Sequence, residues 1–96
     1  MYRILMGVRR SVAAHRAGRV DIPAVVIVPG QPDRLARIPV DQLYSPKDSI
    51  LRDSRYIRNT EYRTHVIGTD PPPIHVTPTT AKVAARLTHI TRVRVL

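Results

Sequence analysis

From Ala24 to Val28 the chain runs through five apolar residues in succession, four of them β-branched, and a second short apolar group closes at Ile38 and Val40. Pro29, Gly30, Pro32 and Asp33 punctuate the stretch between them. β-Branched runs on both sides of a Pro/Gly turn predict two antiparallel strands joined by a loop of about four or five residues, a β-hairpin within residues 21–44. Pro23 and Pro39 cannot donate to a ladder, so the strand edges beside them are expected to be outer edges or strand ends. Two strands alone are marginal in water. The hairpin is therefore expected to lie against a neighbouring protein or against the terminal strand of its own chain.

Ahead of the hairpin, residues 1–20 carry five arginines and no acid before Asp21. Drawn as a helix, Ile4, Leu5, Val8 and Val12 fall within about 100° of one another, with Arg3 and Arg10 on the far side. A basic, amphipathic, acid-free start has the composition of an organelle-targeting segment, and mitochondrial import is the expectation it raises. Since the sequence begins at Met1, such a segment would act without being removed. The same residues also describe a basic arm laid on an anionic surface through Arg9 and Arg10.

After the hairpin, Ser45, Pro46 and Asp48 supply an N-cap, an N1 proline and an N3 acid, predicting a helix from Pro46 to about Tyr62 within residues 45–64. Its wheel places Arg52, Arg55, Tyr56, Asn59 and Arg63 in a sector of about 80°, opposite Ile50, Ser54, Ile57 and Glu61. Arg beside Tyr suits phosphate contact with base stacking, and equally suits acidic side chains. Residues 65–78, with Gly68, Pro71, Pro72, Pro73 and Pro78, are expected to form an extended, stiff linker. Thr77 and Pro78 read as the opening of a second helix, in which Val83, Leu87 and Ile90 follow an i, i+4, i+7 spacing. The period then falls to two, with Thr91, Val93 and Val95 on one side and Arg92 and Arg94 on the other. That predicts a short basic strand within residues 79–96, free to add to the hairpin or to a partner's sheet edge.

Taken together, the elements predict one small, irregular α+β unit: a β-hairpin, one or two short helices, extended Pro-rich segments and a basic C-terminal strand. Composition sharpens this picture. A chain of 96 residues buries only somewhat over half of its unfolded surface. Phe and Trp are absent, so the core must come from Val, Ile and Leu. Nine prolines cut the chain into short pieces, which argues against a helical bundle. The formal net charge of +9 opposes an isolated compact state and favours a polyanionic or acidic partner. Fourteen of the sixteen basic residues are Arg, whose planar fork makes bidentate contacts with phosphate and carboxylate.

Catalytic and metal chemistry find little support. The four glycines are isolated, so there is no phosphate loop. His15, His65, His75 and His89 lack metal-ligand spacing, and there is no Cys to join them. Seven scattered acids do not make a desolvated carboxylate pair, and no nucleophile elbow is present. No run of about 18 apolar residues spans a membrane.

These observations lead to the expectation of a non-catalytic structural subunit of a large assembly, without cofactor, metal or small-molecule substrate. Its partners would be other subunits and an anionic surface, most concretely rRNA in a mitochondrial ribosome. The contact residues would be Arg9, Arg10, Arg52, Arg55, Tyr56, Arg63, Arg92 and Arg94. Two other classes fit the same features: a protein-only accessory subunit of a respiratory or ATP synthase complex or a microtubule-bound axonemal protein, and an autonomous nucleic-acid-binding module.

Overall fold

A computed structural model describes residues 1–45, 55–79 and 91–92. The basic amphipathic arm, residues 1–20, whose apolar residues group on a helical wheel, is built as a strand, a turn and a helix. Strand β1 (Tyr2–Met6) buries Ile4 and leaves Leu5 and Met6 exposed. Gly7 then adopts φ 108°, a left-handed conformation open to glycine, and ends any continuous helix from Met1. Helix α1 (Val8–Arg16) follows, with Val8 and Val12 packed on the core as the wheel anticipated. It stops at Gly18, φ 80°, where the amide of Gly18 donates to His15 O and that of Arg19 to Ala14 O, each at 3.0 Å. These are the paired bonds of a Schellman C-cap, which satisfy two of the helix's otherwise unpartnered carbonyls.

The hairpin forms as expected, from β2 (Asp21–Val26) and β3 (Arg34–Pro39), with Ala24 opposite Ala36. Its loop, residues 27–33, is longer than the turn chemistry indicated, because Ile27 leaves the hairpin and donates to Val76 O at 2.8 Å. The Val40 amide donates to Val20 O at 2.9 Å, so hydrogen-bonded pairs recur at Ile22–Ile38 and Ala24–Ala36. Pro23 and Pro39 thus stand at non-hydrogen-bonded positions, where a missing N–H removes nothing from this ladder.

What covers the hairpin is not the terminal strand. The supposed linker contains β5 (Ile74–Pro78), which pairs parallel with β2 and antiparallel with β1. Thr77 and Pro78 accordingly lie in a strand and do not open a helix. β4 (Leu43–Ser45) follows a single 3₁₀ turn, Val40–Gln42, and pairs parallel with β1. β6 (Thr91–Arg92) pairs with β4 at the end of the sheet furthest from the hairpin. The order is β3-β2-β5-β1-β4-β6, a mixed five-strand sheet extended by a two-residue sixth. The expectation of one hairpin with appended pieces is therefore corrected: the hairpin supplies two strands of a larger sheet, and the latest strand of the five to be synthesised lies at its centre.

One face of the sheet carries Ile4, Ile22, Ala24, Val26, Ile38, Ile74 and Val76, which form the core with Ala14 of α1 and with Val40 and Leu43. At roughly 25 cal/mol per Å² of apolar area removed from water, this cluster is the chief source of stability. Helix α1 reaches it through Ala14, flanked by Val8 and Val12, and buries Ser11 and Ala13 as well. Helix α2 (Arg55–Tyr62), continued by a π turn at Arg63–Ile67 that ends on left-handed Gly68, packs against α1. The predicted helix start at Ser45–Asp48 and the second helix after Thr79 lie outside the described residues, apart from Ser45, which closes β4.

Candidate anionic-surface interface

Helix α2 divides as its wheel foretold. Ile57 is fully buried and Glu61 half-buried on the inner side, while Arg55, Tyr56, Asn59 and Arg63 are exposed. Its direction is set by three contacts with α1. The Arg9 guanidinium carbon lies 5.0 Å from the centre of the Tyr56 ring. Arg16 Nε stands 3.3 Å from Glu61 Oε2, and His65 Nδ1 approaches Ala17 O at 3.4 Å. Both sets of residue numbers rise together, so the two helices run side by side in the same direction. That brings Arg9, from the N-terminal segment, onto the Arg/Tyr face of α2. The two basic stretches that the sequence left separate make one surface.

The other arginines sort into those engaged within the fold and those that are not. Arg10 donates to Pro73 O at 2.6 Å. Proline carbonyls in a run lack the usual ladder partners, so this bond satisfies backbone that three successive prolines leave unpaired. Arg19 donates to Gly68 O at 2.9 Å. Arg37 donates from Nε to Asp21 at 2.7 Å, and from both terminal nitrogens to Asp70 at 2.9 and 3.2 Å. Hydrogen bonding from Arg37, then its charge, holds the Asp70 carboxyl below the usual carboxylate range against an opposing desolvation effect. By contrast, the guanidinium groups of Arg3, Arg34, Arg55 and Arg63 make no hydrogen bond or ion pair among the described residues. Arg10 therefore serves the fold, whereas Arg55, Arg63 and the stacked Arg9 present charge outward. Arg92 lies on β6, remote from this face along the sheet order; Arg52 and Arg94 lie outside the described residues.

Beside this face is a cleft of about 680 Å³, where α2 and its π turn meet the proline run. Pro23, Tyr56, Thr60, Arg63, Asp70 and Pro73 line it. Sequence reasoning missed the cleft because it assigned Pro71–Pro73 to a spacer. It also missed the Asp21–Arg37 pair, although the hairpin register contains the signal: Asp21 faces Pro39, so Arg37 is its diagonal neighbour on the same side of the sheet. Among the described residues no three His, Cys, Asp or Glu side chains gather as a metal site, and no helix is long and apolar enough to cross a membrane. Neither a protein-family model, nor a curated protein, nor a solved structure matches the chain.

Proposed function

We propose that this chain is a non-catalytic structural subunit that binds RNA within a large assembly, of which a mitochondrial ribosome is the most concrete example. The observation that carries the proposal is the contiguous face of Arg9, Tyr56, Arg55 and Arg63, whose guanidinium groups have no acid partner among the described residues. A solvated helix face would offset its charges at i,i+4, and among the described residues of this helix the acid, Glu61, pairs with Arg16 of α1. An uncompensated cationic surface is stabilised by neutralising phosphates and releasing their counterions. The buried sheet core also favours a second form of the proposal, in which the chain folds alone and acts as an autonomous RNA-binding module.

The test is to express the tagged full chain in its source cells and sediment the lysate with and without ribonuclease. Co-sedimentation with a large particle that disappears on nuclease treatment supports an RNA-bound subunit. Co-sedimentation unaffected by nuclease overturns it in favour of a protein-only accessory subunit.

A further inference from the structure

The cleft between α2 and the proline run is the feature of the surface that a general attraction to phosphate leaves unexplained. Its lining is largely apolar and includes Tyr56 together with Pro23 and Pro73. Among the described residues that line it, the charge left uncommitted is Arg63, since Asp70 is clamped bidentately by Arg37. Thr60 places a hydroxyl on the same lining. The Arg9 guanidinium over Tyr56 orients the ring and extends it with a second planar surface. We propose that this cleft receives one unpaired nucleotide of a single-stranded RNA segment. The base lies against Tyr56 and the proline wall, Thr60 meets a base edge, and Arg63 takes the adjoining phosphate, with the strand continuing past Arg55.

Three properties select this occupant. A cation on the rim calls for an anion. An acidic peptide side chain would satisfy Arg63 yet leave the apolar lining in water, whereas a nucleotide carries both the charge and a planar ring that can lie against Tyr56. A duplex cannot enter, because its bases are already stacked and paired, while an unpaired base is free to stack on an aromatic side chain. The size of the cleft falls in the range usual for small-ligand sites. The inference rests on the RNA-binding proposal above, and the experiment is chosen so that the two fail differently.

The experiment titrates the full chain, at low and at moderate salt, with a fluorescein-labelled ten-nucleotide oligouridylate containing 4-thiouridine, a duplex of the same length, and polyglutamate. Irradiated single-strand complexes are digested to map the cross-link. The single strand is expected to bind about tenfold or more tightly than the duplex, with cross-links at residues 56–63. Tyr56→Ala is expected to lower single-strand affinity about tenfold, and Tyr56→Phe to retain it. Circular dichroism verifies the fold of both variants, and the wild-type cross-link decides the matter if Tyr56→Ala does not fold. Single-strand binding with cross-links elsewhere, equal duplex binding, or an unaltered affinity in a folded Tyr56→Ala overturns the nucleotide cleft alone. Preference for polyglutamate over RNA overturns the cleft and assigns the face to acidic protein. No binding to any polyanion at low salt overturns both the cleft and the function.

Discussion

Arg37, on the outermost strand of the hairpin, grips both carboxylate oxygens of Asp70, 33 residues later in the chain, while its Nε holds Asp21 on the neighbouring strand. One guanidinium thereby ties the sheet edge to the loop that delivers the prolines and the central strand. The Asp70 pKa is lowered from its ordinary value of 3.8, so the stabilisation is present above that value and fades as the pH falls through the lowered one. Both side chains are more than a third exposed, which limits the pair to about 1 kcal/mol. Asp70→Asn is accordingly expected to lower the melting temperature at pH 7 by a few degrees. The gap between variant and wild type should shrink below about pH 4, as measured by thermal unfolding at several pH values. A gap independent of pH would show that Asp70 acts through packing.

Gly7 is expected to be the least replaceable glycine. A Cβ there would stand 2.6 Å from Ile74 Cγ2 and 2.9 Å from Ile74 Cβ, and the backbone is in the left-handed region besides. The clash is with the central strand, which cannot retreat without opening the core. Gly7→Ala should cost about 2 kcal/mol or more. Gly18 has the same kind of backbone and nothing within 4 Å of the added carbon, so Gly18→Ala should cost only about 1 kcal/mol. Denaturant unfolding of the two variants side by side separates the steric part from the conformational part.

Thr64 is 3% exposed, and its hydroxyl oxygen has no hydrogen-bond partner among the described residues. A buried hydroxyl without a partner has given up its water and gained nothing in return, at about 1–3 kcal/mol. Thr64→Val keeps the shape and removes the polar atom. It is expected to raise stability by about 1 kcal/mol, read as an upward shift of the unfolding midpoint with an unchanged denaturant slope. A decrease would mean that the hydroxyl is satisfied in solution.

The hairpin and the division of α2 into a buried and a basic face were legible because each rests on local periodicity; of the terminal strand only Thr91 and Arg92 are described, paired with β4. The central strand was not legible. Ile74 and Val76 alternate with His75 and Thr77 as a half-buried strand should, but three prolines on one side and Pro78 on the other mark the same segment as a spacer. Its strand character comes from the edges of β1 and β2 that flank it, a non-local cause. The same holds for β1, where Ile4 and Leu5 fit a helical wheel until Gly7 interrupts it. The candidate interface was legible on α2, yet its union with Arg9 needed the parallel packing of α1 and α2, and the inward role of Arg10 needed the carbonyl of Pro73.

Charge alone does not decide which arginines meet the partner, and this distinction is measurable. Arg55→Gln with Arg63→Gln removes two guanidinium groups that touch no acid among the described residues. Stability should be nearly unchanged. Affinity for single-stranded RNA should fall, and the slope of log affinity against log salt should become shallower by about 0.7 for each phosphate that is no longer neutralised. Arg37→Gln removes one guanidinium of equal charge that is already committed to Asp21 and Asp70. It should lower the melting temperature and leave the salt slope where it was. Fluorescence anisotropy over a salt series, with thermal unfolding of the same three proteins, checks both halves. If Arg37→Gln flattened the slope as much as the double variant does, RNA would be responding to net charge, and the face built from α1 and α2 would have no privileged role.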